Sequence, residues 1–256
     1  MFYKEWFFLD KELWNNAFSF GLRKNKKLYI PSIIDIDINE LDKIEIQDDK
    51  SKIAFEDFDF DDKLSTNYGL KNFYRIKVKW KEIILFDNHN HAFYFWYEAR
   101  NRWLIWDNNL LFHIDEHADT RDNNKYISKE DSSDLSKVFE FTNYVLNVGD
   151  YIIPAEKEWI IWKTIQIRNT KNLNDYVSNY YWKLLDKTSD SGIILNLDLD
   201  FFQPDLDFID YDLKKKVVLD AFDKADFVTV CTSPFFINQK LAIDVFKDIF
   251  WKLSND

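Results

Sequence analysis

The stretch Asn109-Leu-Leu-Phe-His-Ile-Asp-Glu-His-Ala-Asp119 decides how this chain folds. Its first six residues form a largely apolar run, which is typical of a buried strand. Side chains of a strand alternate between its two faces, so Asp115 and His117 are expected on the same side of the chain. The stretch therefore predicts a buried strand that ends in potential metal ligands.

A second stretch repeats this arrangement. Gly192-Ile-Ile-Leu-Asn-Leu197 runs into Asp198-Leu-Asp200 and leaves through Phe-Phe-Gln-Pro204. Carboxylates gathered at the ends of two strands would repel one another strongly. Two divalent cations would balance four aspartate charges and leave room for a hydroxide, so we predict a site for two metal ions.

The order of strands and helices from residue 82 onward is typical of a parallel α/β sheet. Ligands gather at the carboxyl ends of the strands in such sheets, where all the motifs described here are expected to lie. The predicted fold is a three-layer α/β/α arrangement with a mostly parallel sheet. Its expected strands are Ile83–Phe86, Asn109–Ile114, 192–197 and Phe227–Cys231, with an apolar stretch at Trp159–Ile167 and helices at about Asn90–Arg102, 212–224 and Asn238–Leu253.

Residues 1–80 differ from the rest of the chain in being rich in Asp, Lys and Ile, with few helix signals. Leu28–Ile36 and Lys43–Ile46 are possible strands. We interpret residues 1–80 as an N-terminal edge addition to a single domain that covers residues 1–256. The polar run from Asp119 to Ser136 is expected to be a mobile loop beside the site.

Composition limits the classes of partner. Lys and Arg number 34 against 45 Asp and Glu, which gives a net charge of −11 and argues against nucleic acid or an anionic membrane as a partner. A cationic substrate would be attracted. One cysteine, Cys231, excludes an internal disulfide, and no apolar run approaches the ~20 residues of a membrane span. We expect a cytoplasmic protein, and the sequence leaves its oligomeric state open.

Three motifs resemble, in their order, those of the arginase and ureohydrolase superfamily: the histidines at 89–91, Asp115-Glu-His-Ala-Asp119 and Asp198-Leu-Asp200. More closely, they are similar to peptide arginases, which convert arginine side chains of ribosomally made peptides to ornithine. The resemblance covers roughly residues 83–236. It rests on Phe86-Asp-Asn-His-Asn-His-Ala92, Phe112-His-Ile-Asp-Glu-His-Ala-Asp119, Asn196-Leu-Asp-Leu-Asp-Phe-Phe202 and Thr232-Ser-Pro-Phe-Phe236.

The resemblance implies two manganese ions and the residues that bind each of them. Manganese suits six nitrogen and oxygen ligands without a thiolate. Either His89 or His91 provides the histidine of the first motif, and the spacing from the strand favours His89. The implied ligands are Asp115 and Asp198 as bridges, Asp119 with His89 on one ion, and His117 with Asp200 on the other.

The resemblance also implies the reaction, in which hydroxide attacks the guanidinium carbon of arginine. Asp119, a nearby histidine or water would protonate the departing amine. Arginases of the free amino acid have a further histidine downstream, whereas this chain has none after His117. If His89 is a ligand, His91 is the candidate for that proton-carrying role.

Residues that would hold the substrate are less well defined by the sequence. Glu116 and Glu156 are candidates for the carboxylate that pairs with the planar guanidinium. Ser233, at the end of a strand and before a proline, is a further candidate for substrate contact. His113 is interpreted as a packed strand residue and Cys231 as part of the core.

Other classes of function share part of this pattern. A zinc deacetylase would need a tandem pair of histidines upstream, which this chain lacks. A dinuclear phosphoesterase would carry GD and GNH signatures, which are missing. An HxH-type amidohydrolase could start from His89 and His91 but would need more histidines downstream. A hydrolase of a small guanidino compound and a non-catalytic, metal-stabilised peptide-binding protein remain alternatives. The retention of all six ligands favours the enzyme.

Overall fold

A computed structural model describes residues 2–11, 17–59, 61–178 and 192–254. Within these residues the chain forms strands and helices that we number in chain order. The strands are β1 (Phe7–Leu9), β2 (Leu28–Ile30), β3 (Ile33–Asp37), β4 (Phe55–Phe58), β5 (Leu64–Asn67), β6 (Phe73–Val78), β7 (Lys81–Phe86), β8 (Asn109–Ile114), β9 (Ile161–Ile167), β10 (Ile193–Asp198) and β11 (Phe227–Cys231). The α-helices are α1 (His91–Asn101), α2 (Leu135–Tyr144), α3 (Ile152–Lys157), α4 (Thr170–Val177), α5 (Tyr211–Lys224) and α6 (Gln239–Phe250).

Seven of the strands form the central sheet, in the order β3-β6-β7-β11-β10-β8-β9. Every neighbouring pair is parallel except the hairpin of β6 and β7. The remaining described strands form two short antiparallel pairs, β1 with β2 and β4 with β5. The expectation of a mostly parallel sheet is confirmed.

Helices cover both faces of this sheet. The buried side chains of α1, α2 and α3 form one apolar core with the sheet, and those of α4, α5 and α6 form another on the opposite face. Every residue of β8 is buried, because a parallel strand between two helix layers has no face in water. The chain therefore has the predicted three-layer α/β/α fold.

Register brings the carboxyl ends of four strands to one edge. Asp198 in β10 pairs with Cys231 in β11, and Cys231 pairs with Phe86 in β7. On the other side of β10, Leu197 pairs with Ile114 of β8. The residues that follow these strands thus emerge side by side, as a functional site in a parallel sheet requires.

The N-terminal part contributes more strands than the sequence indicated. Its β3 and β6 extend the sheet at one edge. The strand expected at Leu28–Ile36 is interrupted between β2 and β3, at Pro31 and Ser32. The strand expected at Lys43–Ile46 is wrong, because a 3-10 helix spans Ile38–Lys43 and Ile46 makes only an isolated bridge with Leu70.

Residues 119–136 are irregular except for a short 3-10 helix at Asp131–Ser133 and the beginning of α2, and their mobility stays a prediction. None of the helices in the described part of the chain is long and apolar enough to cross a membrane.

Candidate metal centre

Three aspartates, two from the segment after β8 and one from the end of β10, converge on one imidazole nitrogen. His89 Nδ1 lies 3.1 Å from Asp115 Oδ2, 3.0 Å from Asp119 Oδ2 and 3.1 Å from Asp198 Oδ2. All four side chains are buried. We call these four residues the first cluster.

A second group adjoins the first through Asp115. His117 Nδ1 lies 3.6 Å from Asp115 Oδ1 and 2.9 Å from Asp200 Oδ2, close enough for the three side chains to hold one cation. The backbone N–H of Glu116 donates to Asp200 Oδ1 at 3.3 Å and so orients that carboxylate. We call Asp115, His117 and Asp200 the second cluster. Asp115 presents one oxygen to each cluster, which is the geometry of a bridging ligand.

Asp198 is the other residue for which bridging was predicted. Its Oδ2 belongs to the first cluster and also accepts a hydrogen bond from the Ser233 hydroxyl. Its Oδ1 accepts the backbone N–H of Asp200 at 3.0 Å. The described contacts therefore assign Asp198 to the first cluster, and its role as a bridge stays a prediction.

Two residues of the site adopt left-handed backbone conformations. Asp119 has a φ of 51° and Ser233 a φ of 41°. Such angles are uncommon for residues other than glycine, although aspartate tolerates them better than most. In both residues the strained backbone accompanies a side chain that belongs to the site, as is common where function rather than stability sets the conformation.

Burial and like charge make two of these carboxylates, Asp119 and Asp200, costly to ionise without a cation. Burial, with the charge of Asp115, raises the pKa of Asp119 to about 7. Burial also raises the pKa of Asp200 well above its ordinary value, and the charges of Asp198 and Asp115 add to the effect. Within the described residues, both ring nitrogens of His89 and Asp115 Oδ2 are buried and make no hydrogen bond. The residues present therefore fit divalent cations, which would satisfy these atoms and offset the repulsion.

His113 belongs to this site, so its interpretation as only a packed strand residue was incomplete. Its Nε2 lies 3.2 Å from Asp115 Oδ2, and burial lowers the pKa of His113 to about 4, which keeps the ring neutral. Its Nδ1 lies 3.1 Å from Asn196 Nδ2, which also donates to the Tyr151 hydroxyl at 2.9 Å. Asn196 Oδ1 accepts from the Thr229 hydroxyl at 2.7 Å. The alternation that linked Asp115 to His117 also places His113 on their face of the strand.

His91 lies outside both clusters. Its Nδ1 is 2.8 Å from the Tyr3 hydroxyl, and its ring packs 5.0 Å from the ring of Phe73. Burial lowers the pKa of His91 to about 3, so the ring is neutral. Of the two histidines that the sequence left open, His89 is the one in the first cluster. The side chain of His91 lies in the aromatic core, and its expected catalytic role stays a prediction.

A cavity of about 420 Å³ opens onto both clusters. It is a candidate substrate cleft because it combines ligand side chains with apolar walls. Ser233 lines it, as a residue in contact with substrate would. The other lining residues are His89, His117, Ala118, Asp119, Thr120, Arg121, Val148, Gly149, Asp198 and Phe236.

The two glutamates expected to hold the guanidinium do not line this cavity. Glu116 Oε2 accepts from Gln203 Nε2 at 3.1 Å, and Glu156 Oε1 accepts from the Thr164 hydroxyl at 2.6 Å. The substrate-binding roles expected for Glu116 and Glu156 therefore stay predictions, without support from the lining of this cavity.

Cys231 is buried, as expected for a core residue, and also lies close to the first cluster. Its thiol donates to the backbone carbonyl of Asp87 at 3.2 Å and lies 3.2 Å from the Ser233 hydroxyl. Burial raises the pKa of Cys231 well above its ordinary value. Its sulfur lies close enough to His89 and Asp198 for the three side chains to hold one cation, but a hard cation prefers the oxygen and imidazole ligands.

No family model matches this chain, and no curated protein sequence is significantly similar to it. Among solved structures, it is similar to a hypothetical agmatinase from Burkholderia thailandensis, with 13% identity, a TM-score of 0.44 and coverage of 71% of this chain and 59% of that chain. It is also similar to proclavaminate amidino hydrolase from Streptomyces clavuligerus, with 12% identity, a TM-score of 0.44 and coverage of 67% of this chain and 64% of that one. The chain thus spans less than two thirds of the length of either protein, and similarity at this level is not evidence for a shared activity.

Proposed function

We propose that this chain is a metal-dependent hydrolase that cleaves the guanidinium group of arginine side chains in a peptide, giving ornithine and urea. The observation that carries the proposal is the convergence of three aspartate oxygens on His89 Nδ1, beside a second group joined to the first by Asp115. Two adjoining anionic clusters match what a pair of divalent cations requires. The reaction and the peptide substrate are inferred from the resemblance of the four sequence motifs to those of peptide arginases.

The proposed ions are two Mn²⁺. Sites rich in carboxylates suit manganese, whereas zinc favours thiolates and imidazoles and takes fewer ligands. Asp115 would contribute to both ions. The first ion would be held by His89, Asp119 and Asp198 in addition, and the second by His117 and Asp200.

The metal pair would supply hydroxide near neutral pH by lowering the pKa of water. The residues of the cleft would position the guanidinium carbon and carry protons. The Ser233 hydroxyl holds one oxygen of Asp198, and the Phe236 ring, 4.4 Å from the His117 ring, forms an apolar wall that limits access of bulk water. Asp119 lines the cleft, so its carboxyl is the candidate proton donor to the departing amine.

Bond changes balance with water as the only co-reactant. The C–N bond between the guanidinium carbon and the side-chain nitrogen breaks, and a C–O bond to the same carbon forms. One product is urea and the other is the ornithine amine. Agmatine and free arginine carry the same guanidinium, so discrimination must come from the part of the cleft beyond the clusters.

The direct test is a substrate panel with the purified, manganese-loaded protein. We expect urea release and the mass change of arginine to ornithine with arginine-containing peptides, and weaker or no turnover with arginine and agmatine. Asp115→Ala should abolish the conversion. A protein that binds two manganese ions yet converts none of these compounds would contradict the proposal, and turnover of agmatine alone would replace the peptide with a small guanidino substrate.

A further inference from the structure

A second cavity, of about 430 Å³, lies beside the candidate cleft, and Phe236 contributes to the walls of both. One side of this second cavity comes from the N-terminal part of the chain, including Gln47, Lys50 and Asn67. The other side comes from the segment after β11, including Gln239 and Lys240. We call this cavity the amide groove.

One residue that lines the groove, Gln239, has a buried side-chain oxygen without a hydrogen-bond partner among the described residues. Gln239 is 8% exposed, and its Nε2 donates to the backbone carbonyl of Thr232 at 2.6 Å. Its Oε1 makes no hydrogen bond within the described residues. A buried amide oxygen left without a donor costs free energy, so the arrangement favours a ligand that brings an N–H group.

The charges at the groove oppose the net charge of the chain. None of the described residues that line it is aspartate or glutamate, although the chain carries 45 such residues against 34 lysines and arginines. Lys50 and Lys240 are both exposed. Lys50 Nζ lies 4.2 Å from the centre of the Tyr68 ring, and Lys240 pairs with Asp244 one helical turn away. An exposed pair of this kind is weak and leaves the ammonium available to a ligand.

We propose that the amide groove binds the part of a peptide substrate that flanks the target arginine, and that it selects an acidic flank. A peptide N–H would donate to Gln239 Oε1, and an aspartate or glutamate side chain of the substrate would lie between Lys50 and Lys240. The shared wall at Phe236 would keep this flank next to the arginine in the cleft. This inference rests on the proposed function, because it assumes that a peptide arginine reaches the clusters.

Charge reversal tests the acidic flank. The probes are two fluorescein-labelled peptides with one arginine each, one with aspartates and one with lysines beside it, and the measurement is fluorescence anisotropy with the manganese-loaded full chain. We expect Lys50→Glu combined with Lys240→Glu to weaken binding of the aspartate peptide by about tenfold and to strengthen binding of the lysine peptide.

The control is Lys157→Glu combined with Lys216→Glu, which makes the same change of charge elsewhere. Lys157 lies 6.0 Å from the ring of Tyr126, and Lys216 pairs with Asp220 one helical turn away, so the two environments match those of Lys50 and Lys240. This control should retain the preference for the aspartate peptide. Equal effects of the two double variants, or no effect of either, would overturn the inference.

Methylation of the peptide backbone tests the amide contact. Among aspartate peptides N-methylated at one amide at a time, at least one should bind about tenfold more weakly than the unmodified peptide. The Gln239→Met variant should bind the methylated and the unmodified peptide equally well, because it lacks the oxygen that would accept the peptide N–H. A methylation effect that persists unchanged in Gln239→Met would overturn the role of Gln239.

Binding and turnover separate the two proposals. If the peptides bind with the expected preferences but no urea forms, the proposed hydrolysis fails while the groove stands. If urea forms equally well from both peptides and the double variant behaves like the wild type, the hydrolysis stands and the groove fails.

Discussion

At the scale of single residues, Asp115 is the side chain on which both clusters depend. One of its oxygens faces His89 and the other faces His117. We expect Asp115→Asn to lose both manganese ions and His117→Ala to lose one, because Asp115 belongs to both clusters. The measurement is metal content by mass spectrometry after gel filtration, with calorimetric titration of Mn²⁺.

The matched control for this prediction is Asp205→Asn. Asp205 is an exposed aspartate that, like Asp198, begins a DxD pair but is outside both clusters. Its substitution should leave two ions bound. Retention of both ions by Asp115→Asn would rule out the site as described.

His113 and His91 are both buried and neutral, yet we expect their substitutions to act on different properties. His113→Gln should weaken manganese binding by about 10- to 100-fold, because the imidazole lies beside Asp115 and is held by Asn196. His91→Gln should leave manganese affinity unchanged and lower the free energy of unfolding, because that ring packs against Tyr3 and Phe73. Equal losses of metal affinity in the two variants would reduce His113 to a packing role.

At the scale of elements, the pairing of β6, β7 and α1 includes a largely buried ionic network. Glu82 accepts from Arg75 at 3.0 Å and from Arg102 at 2.6 and 2.7 Å, and Arg75 also donates to Glu98 at 2.7 Å. Although burial alone would raise the pKa of Glu82, the hydrogen bond and charge of Arg102 hold it below its ordinary value of 4.5. The ionised form of Glu82 therefore stabilises the fold.

The lowered pKa of Glu82 determines how the stability of the fold changes with pH. A carboxyl whose pKa is lowered by folding contributes stability above its unfolded pKa and loses it as the pH falls through its folded pKa. We expect Glu82→Gln to cost about 1 kcal/mol at pH 7, allowing for solvent screening, and to cost less at a pH below 4.5, where protonation of Glu82 removes its contribution. Urea denaturation at both pH values measures this. Glu140→Gln, at an exposed pair with Lys137, should have no comparable effect at pH 7, and an equal effect would contradict the prediction.

The strands that position the site were predictable because their signals are local. Apolar runs identify β7, β8, β10 and β11, and the parallel topology then places their carboxyl ends together. The sequence alone could not assign His89 rather than His91 to the first cluster, since the two histidines lie at nearly the same distance from the end of β7. Which of the two faces the clusters depends on how α1 packs, and Tyr3, from a distant part of the chain, holds His91 in the core.

Other features depended on contacts that no local pattern contains. Helix α2 follows directly on the polar run, and its Asn143 hydrogen bonds to Tyr3. The sequence Lys43–Ile46 alternates like a strand, yet the Asp37 side chain caps a 3-10 helix that occupies the preceding residues. In both cases local hydrogen bonds and packing against distant residues determined the structure more than the sequence pattern of apolar and polar side chains did.

At the scale of the whole molecule, the sheet joins the N-terminal part to the site. Residues 1–80 supply β3 and β6 at one edge of the sheet, and the same part of the chain supplies one wall of the amide groove. The elements from β7 onward provide the ligands. The expected single domain, which stays a prediction, would therefore bring together catalytic groups from one part of the sequence and proposed specificity groups from the other.

Removal of metal should destabilise the whole fold, because the clusters join several strand ends. Ions that bind only the native state raise the free energy of unfolding by about 2.7 kcal/mol per site when the free ion is at a hundred times its Kd. We expect chelation to lower the Tm of the wild type by roughly 5 °C or more, measured by differential scanning calorimetry.

Asp119→Asn should restore part of the Tm that chelation removes, because it removes one charge from a buried, self-repelling group. At pH 8 the metal-free variant should thus melt above the metal-free wild type, while added manganese should raise its Tm less. A wild-type Tm that is the same with chelator and with manganese would show that the clustered carboxylates do not bind these ions.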